Sequence, residues 1–548
     1  MNPFDTDLPG VIRYQVATTS SGTYDAIIVG GGHNGLVAAA FLAKAGRRVL
    51  VLEAREVVGG LCWSREMTNA PGYQVSPCSL EFLLTGVKPS VIDQLNLAKY
   101  GLKWVYPTTL TTGLFPDGSY MPFYKDLSKT VEHIRRFSRR DAVKYEQLVG
   151  QITATLSAAM PYFQGHPFRV RPAMLAQTMK HLAKGRKDVA RGARVFLNSI
   201  ESVLEENFER EEVKAPLGTY SLASWGPIAE PGSGVYMAVL TGIHQWGVRR
   251  PMGGSGQFTR ALAACVVDHG GEIRVATPVR QIQVRGGRAT GVELTNGEVI
   301  AAKQVIGAVD PYTLIERLVD PKEIPDDTHG EMRGMQVSRH GVYIFKSDMA
   351  LSGRPTFPKL KGEVDDEVMS TLTLCPTLEH LRRSAYLGMT GDYDDNIPLT
   401  TIVPSISDRS LVPPGSGGDT LYMYAFNTPI KLSGGRDWET ESELYVKRAM
   451  AVFDSYAPGT SDMVLDRYDT SPPEFESRYH VYKGNYSHAD LSLAQLGPWR
   501  PTPSLAAYRT PVKGLWHSGS GAFPMSYLSG WPGRNTAREV DRALAKSE

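Results

Sequence analysis

A run of apolar positions begins just after Tyr24. Asp25-Ala-Ile-Ile-Val29 reads as a short buried strand that leads directly into Gly30-Gly31-Gly32. Behind the glycines, Leu36-Val-Ala-Ala-Ala-Phe-Leu-Ala43 has the composition of a packed helix, and Gly46 stops it. Arg48-Val-Leu-Val-Leu-Glu53 is a second apolar strand, closed by an acid. This order predicts a βαβ unit over Tyr24 to Gly60. A second patterned stretch, Gly256 to Pro311, predicts an apolar-rich helix at Gln257 to Asp268 and a Gly270-Gly271 stop. A small β-meander follows, opening at Glu272 and parted by Gly286-Gly287 and an Asn296-Gly297 hairpin turn. The third, Gly514 to Leu544, predicts a short strand, a glycine-rich loop and a final helix. Between them, roughly 89–244 and 331–495 carry helical and mixed patterning respectively.

A chain of 548 residues exceeds one ordinary core, so about two domains are expected. The 59 basic and 57 acidic residues leave a net charge of +2, a balance that calls for no nucleic-acid partner. Cys62, Cys78, Cys265 and Cys375 are scattered without metal-ligand or disulfide spacing, so no metal is expected and a reducing, cytoplasmic setting is the natural one. Residues 1–23 read as a loose tail without the apolar core of a secretory signal. No apolar run approaches the ~20 residues of a spanning helix. The stretch 169–194 is basic, with Met174, Leu175, Met179 and Leu182 near helical spacing and Gly185 interrupting it. It reads either as a solvated helix face or as a face for contact with an anionic membrane or entry of an apolar substrate.

The glycine turn carries the clearest chemistry. Gly30 allows the tight turn, Gly32 offers no Cβ to obstruct a pyrophosphate, and Gly35 lets the helix pack closely on the sheet, with His33 and Asn34 in the same loop. The helix start aims free N–H groups at the phosphates. Glu53 falls where a carboxylate accepts hydrogen bonds from an adenosine ribose. Glu53-Ala54-Arg55 then runs on to Gly59-Gly60, which is either an ordinary turn or a second backbone approach to the pyrophosphate, neutralised by Arg55.

With those segments, with Pro251-Met-Gly-Gly-Ser-Gly256 and with Gly514-Leu-Trp-His-Ser-Gly519-Ser520-Gly521 through Gly533-Arg-Asn535, the chain resembles the phytoene desaturase-like branch of the flavin amine-oxidase superfamily. That branch includes carotenoid desaturases, ketolases and isomerases and a pyridine nucleotide-disulfide oxidoreductase-like group. The resemblance implies an α/β (α+β) fold: a glutathione-reductase-type Rossmann FAD domain from 24–88, 245–330 and 496–548, with an inserted mixed substrate domain from 89–244 and 331–495. It implies non-covalent FAD, the adenine end near Glu53 and the backbone of Val279, the flavin end near Gly59-Gly60 and a C-terminal loop containing Gly519, Ser520, Gly530 and Trp531. Hydride would pass from an apolar or cyclic small molecule to flavin N5, forming C=C or C=N, with O2 or another acceptor downstream. A redox-neutral isomerase and a non-catalytic flavoprotein are the alternatives, and oligomerisation stays open. Flavin supplies the electronic step, so no catalytic triad is required.

Two departures stand out. Many relatives have Gly-Asp where this chain has Gly519-Ser520, and they keep small residues where it has Tyr527 and Trp531. These aromatics are expected to wall the substrate side and favour a compact ring or amine over an extended polyene, the alternative being that they pack the domain junction. Trp225, Tyr236, His244, Arg249 and Arg250 are further pocket candidates. Cys62 reads as a small buried hydrophobe rather than a flavin neighbour.

Overall fold

The structure, a computed structural model, describes residues 22–169, 171–222, 226–362, 364–525 and 527–546. In chain order, β1 (Tyr24–Val29), α1 (His33–Lys44) and β2 (Val49–Leu52) form the expected βαβ unit. Two strands, β3 (Thr109–Leu114) and β4 (Tyr120–Tyr124), precede two long helices, α2 (Arg139–Phe163) and α3 (Pro172–Leu197). Helix α4 (Gly256–Asp268) leads to β5 (Glu272–Arg274), β6 (Val279–Arg285), β7 (Arg288–Leu294) and β8 (Val299–Gly307). Then come β9 (Val342–Leu351), β10 (Thr371–Leu374), β11 (Leu399–Ile402), β12 (Asp419–Pro429) and β13 (Val464–Thr470). The short β14 (Leu515–His517) and the final α5 (Trp531–Ala545) close the chain.

The first sheet runs β6-β7-β8-β1-β2-β5, with β14 beside β8. Ile27 pairs in parallel with Leu50 on one side and Val305 on the other, so β1 lies at the centre. β2 is buried along its whole length, which is why the sequence shows apolar runs here instead of alternation. The expected meander is smaller than the sequence suggested. Only β6, β7 and β8 form it, while β5 lies parallel to β2 at the opposite edge. After the Gly270-Gly271 stop the chain rises alongside β2 and completes a crossover, and short-range hairpin signals do not report such a pairing.

The second sheet runs β13-β9-β12-β11-β10-β3-β4, antiparallel except for β10 beside β3. All ten residues of β9 are buried. One core lies between this sheet and helices α2 and α3, and a second packs α1, α4 and α5 against the first sheet.

Helix α3 is broken at Gly185, whose φ of −143° and ψ of 36° leave the helical range. It packs on α2, with Thr155 Oγ1 donating to the Val189 carbonyl at 2.9 Å. Met174 and Leu182 are half-buried, whereas Leu175 and Met179 face outward with Lys180, Lys184 and Lys187. No described helix is long and apolar enough to cross a membrane. All four cysteines are buried and free.

Candidate functional site

The end of β1 turns on Gly30, whose φ of +104° suits glycine and whose N–H donates to the Leu52 carbonyl at 2.8 Å. A Cβ on Gly35 would lie 2.1 Å from the Gly30 carbonyl oxygen, so the start of α1 is pressed against the turn. Gly32 is the opposite case: a Cβ there would meet nothing within 4 Å. Gly32 is also the N-cap of α1 and gives its first-turn N–H groups no side-chain acceptor, which leaves the helix end able to bind an anion.

Glu53 is almost fully buried. Its two oxygens accept N–H bonds from Gly31 at 2.8 Å and Arg55 at 2.9 Å. Burial nevertheless raises its pKa above the usual carboxylate range, the two bonds opposing the shift. Arg55 Nη1 donates to the Gly60 carbonyl at 2.9 Å, and its guanidinium lies 4.6 Å from the Trp63 ring centre.

These groups border a cavity of about 850 Å³. Of the residues the sequence singled out for the dinucleotide, Gly30, Gly32, His33, Asn34, Glu53, Ala54, Arg55, Gly59, Gly60, Val279, Gly519, Ser520 and Trp531 all line it. Gly35 does not, in keeping with its packing role. Gly530 corrects an expectation: it does not border the cavity but caps α5 at φ +69°, and a Cβ on it would meet Val37 of α1 at 3.2 Å. The start of α5 needs that left-handed turn against α1.

His33 Nε2 and His488 Nδ1 are buried at the cavity wall without a hydrogen-bond partner. Burial pushes His33 down to about 4 and His488 to about 3. Bare Gly32, the uncapped helix and these orphaned ring nitrogens together fit a group that carries phosphates.

The other half of the cavity is built from side chains. Met160 and Phe163 of α2, Phe196 of α3, Tyr220, Tyr236, and Tyr424 and Phe426 of β12 enclose it, with Met525, Tyr527 and Leu528 closing one side. Tyr527 holds φ +60°, an uncommon value for a residue with a ring, and Leu528 follows at +55°. Glu81 is set into this wall and accepts from the Tyr220 hydroxyl and, at 2.8 Å, from Arg250 Nη2. Arg250 also donates to Thr371 Oγ1 at 2.9 Å. Tyr424 donates its hydroxyl to the Cys78 carbonyl at 2.8 Å.

Trp531 lines the cavity too, but it is 1% exposed and belongs to the core around α1 and α5, whereas Tyr527 packs against the core of the second sheet. Tyr236 borders the cavity; His244, Arg249 and Arg250 do not. His244 bridges Tyr145 at 2.9 Å and the Lys125 carbonyl at 3.1 Å, and Arg249 lies over Trp104. Trp225 is outside the described residues. Cys62 lines the cavity as a buried thiol, its pKa pushed up to about 12 by burial. Glu81, Tyr220 and His488 were missed because each comes from a segment without a local motif. For β12 a signal existed: Tyr422, Tyr424 and Phe426 alternate at the spacing that puts them on one face of a strand.

Residues 35–398 match the family model described as flavin containing amine oxidoreductase. The chain belongs to that family. It is 30% identical over 560 residues to the mouse (Mus musculus) pyridine nucleotide-disulfide oxidoreductase domain-containing protein 2, covering 95% of this chain and 94% of the relative. One of the limonene dehydrogenase polypeptides of Castellaniella defragrans is 24% identical over 532 residues, with 94% of each chain covered. A putrescine oxidase triple mutant superposes with a TM-score of 0.60 at 16% identity, covering 95% of this chain and 99% of that one, a likeness of fold alone. This member of the family is therefore an FAD-dependent oxidoreductase, and the residues of the glycine-loop half of the cavity are the ones that would hold FAD.

Proposed function

We propose that this enzyme is a dehydrogenase or oxidase that takes a hydride from a compact apolar or cyclic small molecule and leaves a C=C or C=N bond. The observation that carries this reading is the composition of the far half of the cavity. Aromatic rings of Tyr220, Tyr236, Tyr424, Phe426 and Tyr527 face Leu156, Met160 and Val239, and Glu81 already accepts from Tyr220 and Arg250. A carboxylate so matched leaves little free charge for a substrate ammonium, which favours carbon–carbon dehydrogenation of an apolar ring. A relative named for limonene dehydrogenation points the same way. Bound FAD supplies the two-electron acceptor. The rings exclude water and grip the substrate by its faces, while the Tyr220–Glu81 pair offers a place for a released proton.

The test is anaerobic mixing of FAD-loaded protein with a cyclic monoterpene hydrocarbon, an alicyclic amine and a long polyene. Loss of the flavin's visible absorbance with the cyclic hydrocarbon, and a product with one more double bond, is the expected result. Reduction only by the amine or the polyene would contradict the substrate class. An isomerised product without flavin reduction would establish the redox-neutral alternative. Reoxidation in air would identify O2 as an acceptor.

A further inference from the structure

A second cavity, of about 280 Å³, lies on the other side of the last turn of α2. Pro161 and Gln164 of that turn line it, whereas Met160 and Phe163 line the large cavity. The start of α3, one face of α5, and Pro89, His166 and Tyr508 from intervening segments supply most of the rest of its wall, and four arginines converge there: Arg171, Arg534, Arg538 and Arg542. Glu539, the carboxylate in the wall, is already paired with Arg169 and Arg542. Among the described residues, Arg171, Arg534 and Arg538 have no carboxylate partner.

Arg534 is the informative side chain, because it is 1% exposed. Its Nε donates to Asn535 Oδ1 at 3.2 Å and its Nη2 to the Gln164 carbonyl at 2.8 Å, while Nη1 has no partner among the described residues. Burial, and then the charges of Arg538 and Arg171, push it down to about 9. The part of helix α3 before its break at Gly185 begins at the same cavity, with Arg171 as an N-cap that provides no side-chain acceptor for its first N–H groups. A buried cation beside like charges is costly unless something compensates it. The dinucleotide half of the large cavity does not include these residues.

We propose that this cavity is a second anion site that takes a phosphate group, presented either by a free phosphate ester or by the headgroup of a phospholipid. Guanidinium forks match phosphate oxygens in geometry as well as charge. Arg534 contributes its free Nη1 from the floor, and Arg171 and Arg538 close from the rim. Occupancy ties α3 and α5 to the last turn of α2, and so steadies Met160 and Phe163 over the large cavity. Phe168 and Leu175, 54% and 55% exposed, lie close in the chain to the lining residues His166 and Met174, and their exposed apolar side chains would suit a lipid source.

The test titrates inorganic phosphate into FAD-loaded protein at constant ionic strength, followed by calorimetry, and repeats it with the double variant Arg171→Gln/Arg538→Gln. Both changed side chains are exposed, so the fold is kept. One saturable site is expected in the parent protein, weakened at least about tenfold in the variant, with FAD content equal in both. Sedimentation with phosphatidylcholine vesicles, with and without phosphatidic acid, separates the sources. Binding that requires phosphatidic acid and is lost in the variant identifies a phospholipid, and a phosphate site without vesicle binding identifies a free ester. Neither phosphate nor vesicle binding, equal binding by parent and variant, or loss of FAD from the variant would each overturn the proposal.

Discussion

At its dinucleotide end the large cavity is walled mainly by backbone: bare Gly32, the uncapped start of α1 and the Gly59-Gly60 turn, with Glu53 clamped between two N–H donors. At its far end it is walled by rings and by α2, with Tyr220 and Arg250 joined through Glu81 and the Tyr424 hydroxyl turned to the Cys78 carbonyl. The first construction suits phosphate and ribose, which fixed backbone donors and one carboxylate can meet without the help of mobile side chains. The second recognises shape, and a ring can change there without disturbing the turn that holds the cofactor. Substitutions at the two ends should therefore separate cofactor binding from substrate choice.

The largest effects are expected within the glycine loop, and they differ in kind. Gly35→Ala places a methyl 2.1 Å from a backbone oxygen and should cost more than about 3 kcal/mol of stability, seen as poor recovery of folded protein. At Gly32 an added Cβ meets no protein atom within 4 Å, so the Gly32→Val apoprotein should melt near the parent temperature while FAD affinity falls by at least about 100-fold, the branched side chain occupying phosphate space. Equal FAD content in Gly32→Val and parent would remove the backbone end from the comparison.

Trp531→Ala should behave as a core truncation, costing roughly 3–5 kcal/mol in denaturant melts, because the indole is enclosed between α1 and α5. Native stability in this variant would place the ring in the substrate wall alone.

The pH dependence sharpens the contrast further. His33, ordinarily near 6.5, is pushed down to about 4, so between these values the unfolded chain binds a proton that the folded apoprotein refuses. Its contribution is complete above 6.5 and lost as pH falls towards 4, on the order of 3 kcal/mol, with His488 and His517 adding in the same direction. Asp348, raised by burial to about 6, works oppositely between 6 and its ordinary 3.8. Phosphates bound beside His33 would favour its protonated form, so the melting-temperature gap between FAD-loaded and apo protein should widen from pH 6.5 to 5. A constant gap would show that His33 does not sense the cofactor.

Glu53→Ala should weaken FAD by about 10- to 100-fold, as loss of a charged acceptor costs roughly 1.5–3 kcal/mol, measured by equilibrium binding to apoprotein. The smallest effect on the fold is expected for Tyr527→Ala, with FAD content retained and only the rate of flavin reduction by substrate changed, about tenfold. Unchanged turnover would leave Tyr527 as packing at the junction of the two cores.

The same contrast explains what the sequence disclosed. The glycine loop, Glu53 and the Gly59-Gly60 turn were legible because their chemistry is local, each residue needed by a turn or a donor a few positions away. The meander was misjudged at β5 because parallel pairing depends on a crossover, which leaves no hairpin signal. Gly530 was misassigned because a glycine that opens a helix and one that admits a ligand look alike until the packing of α5 on α1 is seen. Glu81, Tyr220 and His488 could not be read at all: they meet through folding of segments far apart in the chain, and a single Tyr or His carries no period. For Tyr527 the sequence supplied the ring but not its positive φ.

The central claim, that one cavity holds FAD at a backbone end and substrate at an aromatic end, is tested most directly by an experimental structure of the FAD-loaded protein. The adenosine ribose is expected within hydrogen-bond distance of Glu53, the pyrophosphate over Gly32, and the flavin ring facing Tyr220 and Tyr527. A flavin bound in the reverse direction, or outside this cavity, would contradict it.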